Sequence, residues 1–354
     1  MVKAGLIARV LTEPEFPEWN DLVARSPEGS IYSTPEYLDA LCEAAGGTFR
    51  ILAVRKGDDL LGGIALYEQR SRSGSYVSPR LLLYYNGIVL RTYETKYPSQ
   101  RTARHNEILE SLLDGLAGLN YGRIALRCRS PLTDVRALLA KGWSARLDYT
   151  YVVPLTDMDA LRTRMEQNLR RLVDRCTAQG LTVTEDDDFE SFFRLHSQIH
   201  ERKGARLYLP RPAFQRYFER LRTAGLARLY HARLPGGSSV STQLVLLGRH
   251  PVSHTVSAAA DSEHLKLGAT AFLRWNVFRR LSEQGVAAND LTDAALNPVT
   301  HFKAQLGGDL EMCLFLEAPE SGAFRRERQY AELMSLLRRK TRSVARRLRR
   351  GSRA

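Results

Sequence analysis

Apolar residues recur along this chain with two spacings, and the alternation between them predicts a mixed α/β protein. Ile108, Leu109, Leu112, Leu113 and Leu116 fall three and four apart, which places them on one face of a helix. Leu161, Met165, Leu169, Leu172 and Cys176 do the same in a helix expected to end at Gly180. Phe189, Phe192, Phe193 and Ile199 mark the inner side of the next helix, and another is expected from Gly268 to Gln284. Shorter helices are expected over 16–24, from the Ser33-Thr34-Pro35 turn through Ala44, and ending near Gly142; Pro35 suits a first helical position. Between the helices lie β-rich runs. Those at 49–55 and 60–67 are joined as a hairpin by Lys56-Gly57-Asp58-Asp59, and others fall at 81–85, 123–127 and 149–154. The second half offers strands at 181–184, 227–233, 240–247, 252–259, 286–291 and 312–316.

The order of elements in the second half repeats that of the first. Ala140-Lys141-Gly142-Trp143 precedes the last strand of one half, as Gln305-Leu306-Gly307-Gly308 precedes the last strand of the other. The expectation is two related α/β units, 1–153 and 154–317, each with a mixed sheet flanked by helices, and then a tail over 318–354.

Composition sharpens this in three ways. A length of 354 residues admits two domains, and the apolar run from Leu81 to Leu90, broken by Asn86 and Gly87, falls short of the roughly 20 residues that span a bilayer. The opening Met1-Val2-Lys3 segment turns polar too soon for a signal peptide, so a cytoplasmic protein is expected. Cys42, Cys128, Cys176 and Cys313 lie far apart in mostly apolar runs, implying neither a disulfide framework nor a zinc site. The net charge of +13 is concentrated: residues 322–354 hold twelve Lys/Arg against two acids, leaving a body near neutrality. Within that tail Tyr330, Met334, Leu337, Thr341, Val344 and Leu348 trace one helical face, and arginines 338, 339, 342, 346 and 347 with Lys340 fill most of the rest. Such a helix suits an anionic membrane surface on the inner face of the cell membrane or RNA phosphates; a solubilising tail is the plainer alternative.

Specific motifs then appear in order. They are Arg170-Arg171-Leu172-Val173-Asp174-Arg175 through Gly180, Leu267-Gly268-Ala269-Thr270 through Arg274-Trp275, Gly285 with Asn289-Asp290-Leu291, and His301-Phe302-Lys303 through Gly307-Gly308. Ser33-Thr34-Pro35-Glu36-Tyr37, Gly62-Gly63 and Tyr84-Tyr85-Asn86-Gly87 supply the first half. Together they resemble the FemAB-type branch of the GNAT superfamily, also described as a BioF2-like acetyltransferase domain, over residues 10–317. The resemblance implies two GNAT-like halves with a cleft between them, and transfer of an acyl or aminoacyl group to an amine without a tightly bound cofactor. It implies that Phe302-Lys303 positions the 3′ end of a tRNA and stabilises charge at the acyl carbonyl, and it assigns Tyr84 and Tyr85 to the acceptor side. Aminoacyl-tRNA is slightly preferred as donor over acyl-CoA. The GNAT pyrophosphate loop is glycine-richer than His264-Leu265-Lys266-Leu267-Gly268-Ala269 here. A non-catalytic envelope-associated binding module is the reading from another class.

Each candidate has a plainer reading beside the chemical one. Gly268, Ala269 and Thr270 start a helix whose free N–H groups suit a phosphate, with Trp275 nearby on the donor side; close packing of a helix start explains the same residues. Asp290 and Asp293 flank a strand end, where a carboxylate orients or deprotonates an amine, or simply forms a turn. Lys203, Arg206 and Arg211 suit an anionic acceptor or a solvated loop. Lys303 suits an oxyanion or a solvated surface. His196 and His200, one turn apart with no third ligand in sequence, read as a packed pair rather than a metal clamp. The lysine that muramyl-peptide-using relatives carry after the first aromatic motif is missing from Tyr37-Leu38-Asp39-Ala40-Leu41. The acceptor is left as a small-molecule or lipid-linked amine.

Overall fold

The computed structural model describes residues 5–334. The first run of elements is β1 (Ile7–Val10), α1 (Phe16–Arg25), α2 (Pro35–Ala45), β2 (Thr48–Lys56), β3 (Asp59–Ser71), β4 (Gly74–Val77), β5 (Ile88–Leu90), α3 (Pro98–Gly118), β6 (Arg123–Cys128), α4 (Arg136–Ala140) and β7 (Ser144–Pro154). Helices α5 (Met158–Arg164) and α6 (Gln167–Ala178) lead into the second. That run is β8 (Thr182–Glu185), α7 (Phe189–Lys203), α8 (Arg211–Thr223), β9 (Ala227–Arg233), β10 (Ser239–Leu246), β11 (Val252–Ala260), α9 (Ala269–Glu283), β12 (Ala288–Asp290), α10 (Pro298–Ala304) and β13 (Asp309–Glu317). Residues 322–334 form a further helix, α11.

Without β5, α5 and α6 the two runs correspond element by element, from β1 and β8 to β7 and β13. Their pairing corresponds too. β4 runs parallel to β6 as β11 does to β12, and the strands before them are antiparallel in both units. The two mixed sheets are nevertheless joined. Their order is β1-β2-β3-β4-β6-β13-β7-β12-β11-β10-β9-β8, so the closing strand of each unit pairs with the penultimate strand of the other. β13 and β7 lie antiparallel from Asp309↔Val152 to Glu317↔Ser144. The division we propose at 153/154 therefore separates the units along the chain but not in space. This exchange buries two strand edges that would otherwise stand open.

The joined sheet carries helices on both faces. On one face α1, α2, α7 and α8 share a core spanning both units, in which Trp19, Tyr37, Phe192 and Tyr217 are fully buried. The hydroxyls of Tyr37 on α2 and Tyr217 on α8 share a 2.8 Å hydrogen bond there. On the other face Leu109 and Leu112 of α3 cover the first unit, and Phe272 and Phe278 of α9 cover the second.

Several expected elements differ, each because of a long-range contact. The expected strand over 81–85 is an irregular turn: Leu82 has φ 70°, and its carbonyl accepts a bond from the Tyr37 hydroxyl. The strand of that region is β5, which pairs with β3. The single helix expected from Leu161 to Gly180 breaks at Met165 and Glu166, both extended, where the Glu166 N–H donates to Gln305 O at 3.1 Å. α8 was not anticipated, although Pro212 stands in its first turn as Pro35 does in α2. No helix among the described residues is long and apolar enough to cross a membrane. The tail begins as a docked helix: Phe324 packs on Tyr76 with ring centroids 5.4 Å apart, and Glu327 accepts from the Ser73 N–H at 2.8 Å. Leu337, Thr341, Val344, Leu348 and the basic positions from 338 onward lie outside the described residues.

Candidate functional site

β11 and β12 pair in parallel over only three residues, Val252–His254 against Ala288–Asp290. Beyond them one side chain still bridges the strands, the Thr292 hydroxyl donating to Thr255 O at 3.0 Å. β12 then stops while β11 runs on to Ala260 against β10. A crevice thus opens at the carboxyl ends of two parallel strands, the place where open α/β sheets bind ligands.

Asp290 closes the floor of this crevice and is buried. Its carboxylate accepts from Tyr85 Oη at 2.7 Å, Thr150 Oγ1 at 2.6 Å and the Thr292 N–H at 2.7 Å, and His254 Nδ1 lies 3.6 Å away. Burial pushes its pKa up, but His254, Thr150 and Tyr85 outweigh burial and hold it well below the usual carboxylate range. A carboxylate so engaged stays ionised and is a weak base. Tyr85 comes from the first unit and Thr150 from the exchanged strand β7, so this floor is built by both units.

Lys303 lies on α10, whose first turn is capped by Asn297 Oδ1 accepting from Val299 N at 2.9 Å and Thr300 N at 3.1 Å. The Lys303 ammonium donates to Thr292 O and, at 2.8 Å, to Asp293 O. Thr292 and Asp293 hold φ of 50° and 66°, left-handed conformations that cost side-chain-bearing residues energy. Asp290 from one side and Lys303 from the other hold that strained turn. Burial, and then the nearby Arg274 charge, push the Lys303 ammonium down to about 8. Arg274, on α9, is buried with only 5% exposure, and burial pushes its guanidinium down to about 10. Across the crevice Arg127 of β6 lies 4.6 Å over the Tyr84 ring and pairs with Asp148 at 2.8 Å.

The other candidates divide by location. Phe302 is half-buried against the second unit's core, beside Lys303. Gly268, at φ 89°, approaches α6 so closely that a Cβ there would stand 2.8 Å from Leu172 Cβ, which supports the packing explanation for this glycine. Ala269 and Thr270 open α9 with no side-chain cap, and the first backward bond is Phe272 N to Gly268 O at 3.1 Å. The N–H groups of Ala269, Thr270 and Ala271 therefore have no partner within the helix. Trp275 faces α5, where the Arg162 guanidinium lies 5.0 Å over its ring, and no hydrogen bond or ring contact joins it to Asp290 or Lys303 among the described residues. Lys203 and Arg206 are exposed at the end of α7 and in the following loop, and Arg211 pairs with Glu190. Tyr208 of that loop does reach the crevice side, because Asp293 helps raise its pKa, after burial. His196 and His200 pack at 4.3 Å with Tyr208 against both, and His196 Nδ1 lies 3.2 Å from Ser257 Oγ. No group of three or more metal-ligating side chains occurs among the described residues.

Arg274, Arg127, Thr150 and His254 were not singled out from sequence. Arg274 had a readable signal: it sits three residues after Ala271 and three and four before Val277 and Phe278, a charge inside an apolar stripe. The others are joined to Asp290 or Tyr84 only by strand exchange and carry no local signature.

Residues 161–303 match the model of a family described as acetyltransferase (GNAT) domain. That stretch is a GNAT acetyltransferase domain, and the protein's class is that of a GNAT-type N-acyltransferase. The whole fold is similar to the crystal structure of FemX, with a TM-score of 0.69 and 15% identity over 87% of this chain and 96% of that one. It is also similar to the C-terminal domain of a putative lysylphosphatidylglycerol synthetase from Agrobacterium fabrum, with TM-score 0.56, 12% identity and coverage of 88% and 93%. A tandem GNAT protein from the clavulanic acid biosynthesis pathway gives TM-score 0.54, 15% identity and coverage of 90% and 99%. These arrangements match the FemAB-like expectation for the fold. No curated protein matches by sequence.

Proposed function

We propose that this protein transfers an aminoacyl group from aminoacyl-tRNA to an amine acceptor in the crevice between β11 and β12. The observation that carries the reading is Lys303, a half-buried ammonium fixed at the mouth of a strained turn beside a second buried cation. When an amine attacks an ester carbonyl, the C–N bond forms and the carbonyl oxygen takes up negative charge. A cation already in place and poorly solvated lowers that barrier. Collapse of the adduct breaks the C–O bond to the ribose, and the amine's proton passes to the leaving hydroxyl. Asp290 acts as a positioning residue, holding Tyr85 and the 292–293 turn, since its oxygens are engaged and its pKa is low. Phe302 flanks the donor, while Tyr84, Lys203, Arg206 and Arg211 line the approach for an acceptor. The lysylphosphatidylglycerol synthetase relative, named for joining lysine to a phospholipid, supports an aminoacyl donor and a lipid-linked amine or hydroxyl class of acceptor. A peripheral position at a membrane through residues 322–354 belongs to the same reading.

Acyl-CoA is the second donor, favoured by the uncapped N–H groups of Ala269, Thr270 and Ala271. Leu267 stands where the usual loop has glycine, so coenzyme A is expected to bind more weakly than about 10 μM. Label transfer to a panel of amines from aminoacyl-tRNA and from acetyl-CoA, run side by side, decides between them. Transfer from acetyl-CoA alone would overturn the aminoacyl reading.

A further inference from the structure

Two buried arginines in this molecule are treated differently. Arg129 donates to Pro27 O at 2.8 Å and Gly29 O at 2.7 Å. Arg274 is equally buried, yet neither its Nε nor its Nη1 has an acceptor among the described residues. A buried ion without a partner costs several kcal/mol, so a fold that keeps one gains something by it. The surroundings are unpaired in the same sense. Gln243 of β10 stands beside Tyr230 of β9, which packs in the core under α9, and neither end of its fully buried amide is partnered. Lys303 spends two of its three N–H groups on Thr292 O and Asp293 O and retains one. The carboxylates nearby are Asp290 and Asp293. Asp290 is occupied by Tyr85, Thr150 and Thr292, and no ion pair joins either acid to Arg274.

We infer that Arg274 and Lys303 together form a binding site for an oxyanion, a phosphate or a carboxylate, carried by one of the substrates. The site offers hydrogen-bond donors in a poorly solvated setting, and a bound oxyanion supplies the acceptors that the fold withholds. It rests on the acyl-transfer reading only for which substrate brings the anion.

The test is thermal unfolding of the full chain at pH 7, below the Lys303 value, in sodium chloride, phosphate and acetate at matched ionic strength. Phosphate or acetate should raise the wild-type Tm above that in chloride, and whichever does so identifies the anion class. Arg274→Met should melt higher than wild type in chloride, because a buried unpaired cation is gone, and should lose the anion-specific rise. If that variant does not fold, Lys303→Gln serves instead, with anion affinity lowered about tenfold in calorimetry. No anion-specific rise in wild type overturns the inference. So does a rise of equal size in Arg274→Met, which would come from elsewhere, such as the basic tail. The measurement needs no turnover, so a failure to find acyl transfer leaves its outcome distinct.

Discussion

The two units contain the same crevice twice, and only one of them is open. In the second unit β11 and β12 part after Asp290, and a short connection over 261–268 leads straight into α9. In the first unit β4 and β6 pair only at Tyr76–Arg123 and Val77–Ile124, and the 78–97 connection then folds back into the gap. Asn86 fills it: its Nδ2 donates to Ala125 O at 3.0 Å and its Oδ1 accepts from the Arg127 N–H at 2.8 Å. Gly87 lies so close behind that a Cβ would stand 2.7 Å from Cys128 Cα. Cys128, at the end of β6, holds the place that Asp290 holds at the end of β12. The connection that closes the first crevice also carries Tyr84 and Tyr85 across to the second. One copy of the fold has become the wall of the other's site, and this asymmetry matters more for function than the shared topology.

The sharpest way to break this comparison is at Lys303, for which the first crevice shows no counterpart among its described contacts. Lys303→Met should lower turnover by about 10²–10³, equivalent to roughly 3–4 kcal/mol, if its charge meets an oxyanion. Lys303→Arg should recover only part, since a planar guanidinium places its charge elsewhere. Tm measured beside turnover separates this from a loosened 292–293 turn, in which activity would fall only with the folded fraction. Full activity in a folded Lys303→Met protein would remove the residue from the mechanism.

A smaller effect is expected where the first crevice is closed. Gly87→Ala pushes a methyl group into the backbone of Cys128 and should cost about 1–3 kcal/mol of stability, read as a lower denaturant midpoint. An unchanged midpoint would mean that the plug is loose and the first crevice can open. In the second crevice Gly268→Ala meets Leu172 in a comparable way, so both changes test packing rather than chemistry.

Lys303 also gives a pH signature. Its folded pKa, about 8, lies below the usual lysine value, so above pH 8 the unfolded chain holds a proton that the folded chain has released. Stability attributable to this group therefore rises with pH from about 8 to about 10.4. Turnover should move the opposite way, falling as pH passes 8 and the ammonium loses its charge. A rate that climbs through pH 8 would instead make Lys303 a base.

The smallest effect concerns the tail. Ending the chain after residue 334 should leave Tm unchanged, whereas ending it after 321 removes the Phe324 and Glu327 contacts and should lower Tm slightly. Both truncations should lose affinity for anionic vesicles or tRNA, since most of the positive charge lies beyond 334. Equal binding by the 334-residue protein and the full chain would show that the tail is not the anchor.

The duplication was legible because it is written in local signals: helical and strand periods, and Gly142 and Gly307, which both turn with left-handed φ into a closing strand. Asp290 and Lys303 were legible through motifs that lie close together in the chain. Trp275 drew attention within its motif, whereas the neighbouring Arg274 is the residue whose charge reaches Lys303, and one position around a helix turns a side chain by about 100°.

What the sequence by itself determined is therefore the inventory of the two units, their common order, the basic tail and the residue types available for acyl transfer. Periodicity, turn residues and charge act over a few positions and need no distant partner. Only the tertiary structure decided that β7 and β13 change places, that helix 161–180 breaks where Glu166 meets Gln305, that the 81–85 run becomes a turn under Tyr37, and that one crevice is closed while the other stays open. Each depends on hydrogen bonds or packing between residues more than a hundred positions apart or across the two units. Strand pairing in particular is chosen by the fit of whole faces, which no single stretch of sequence contains.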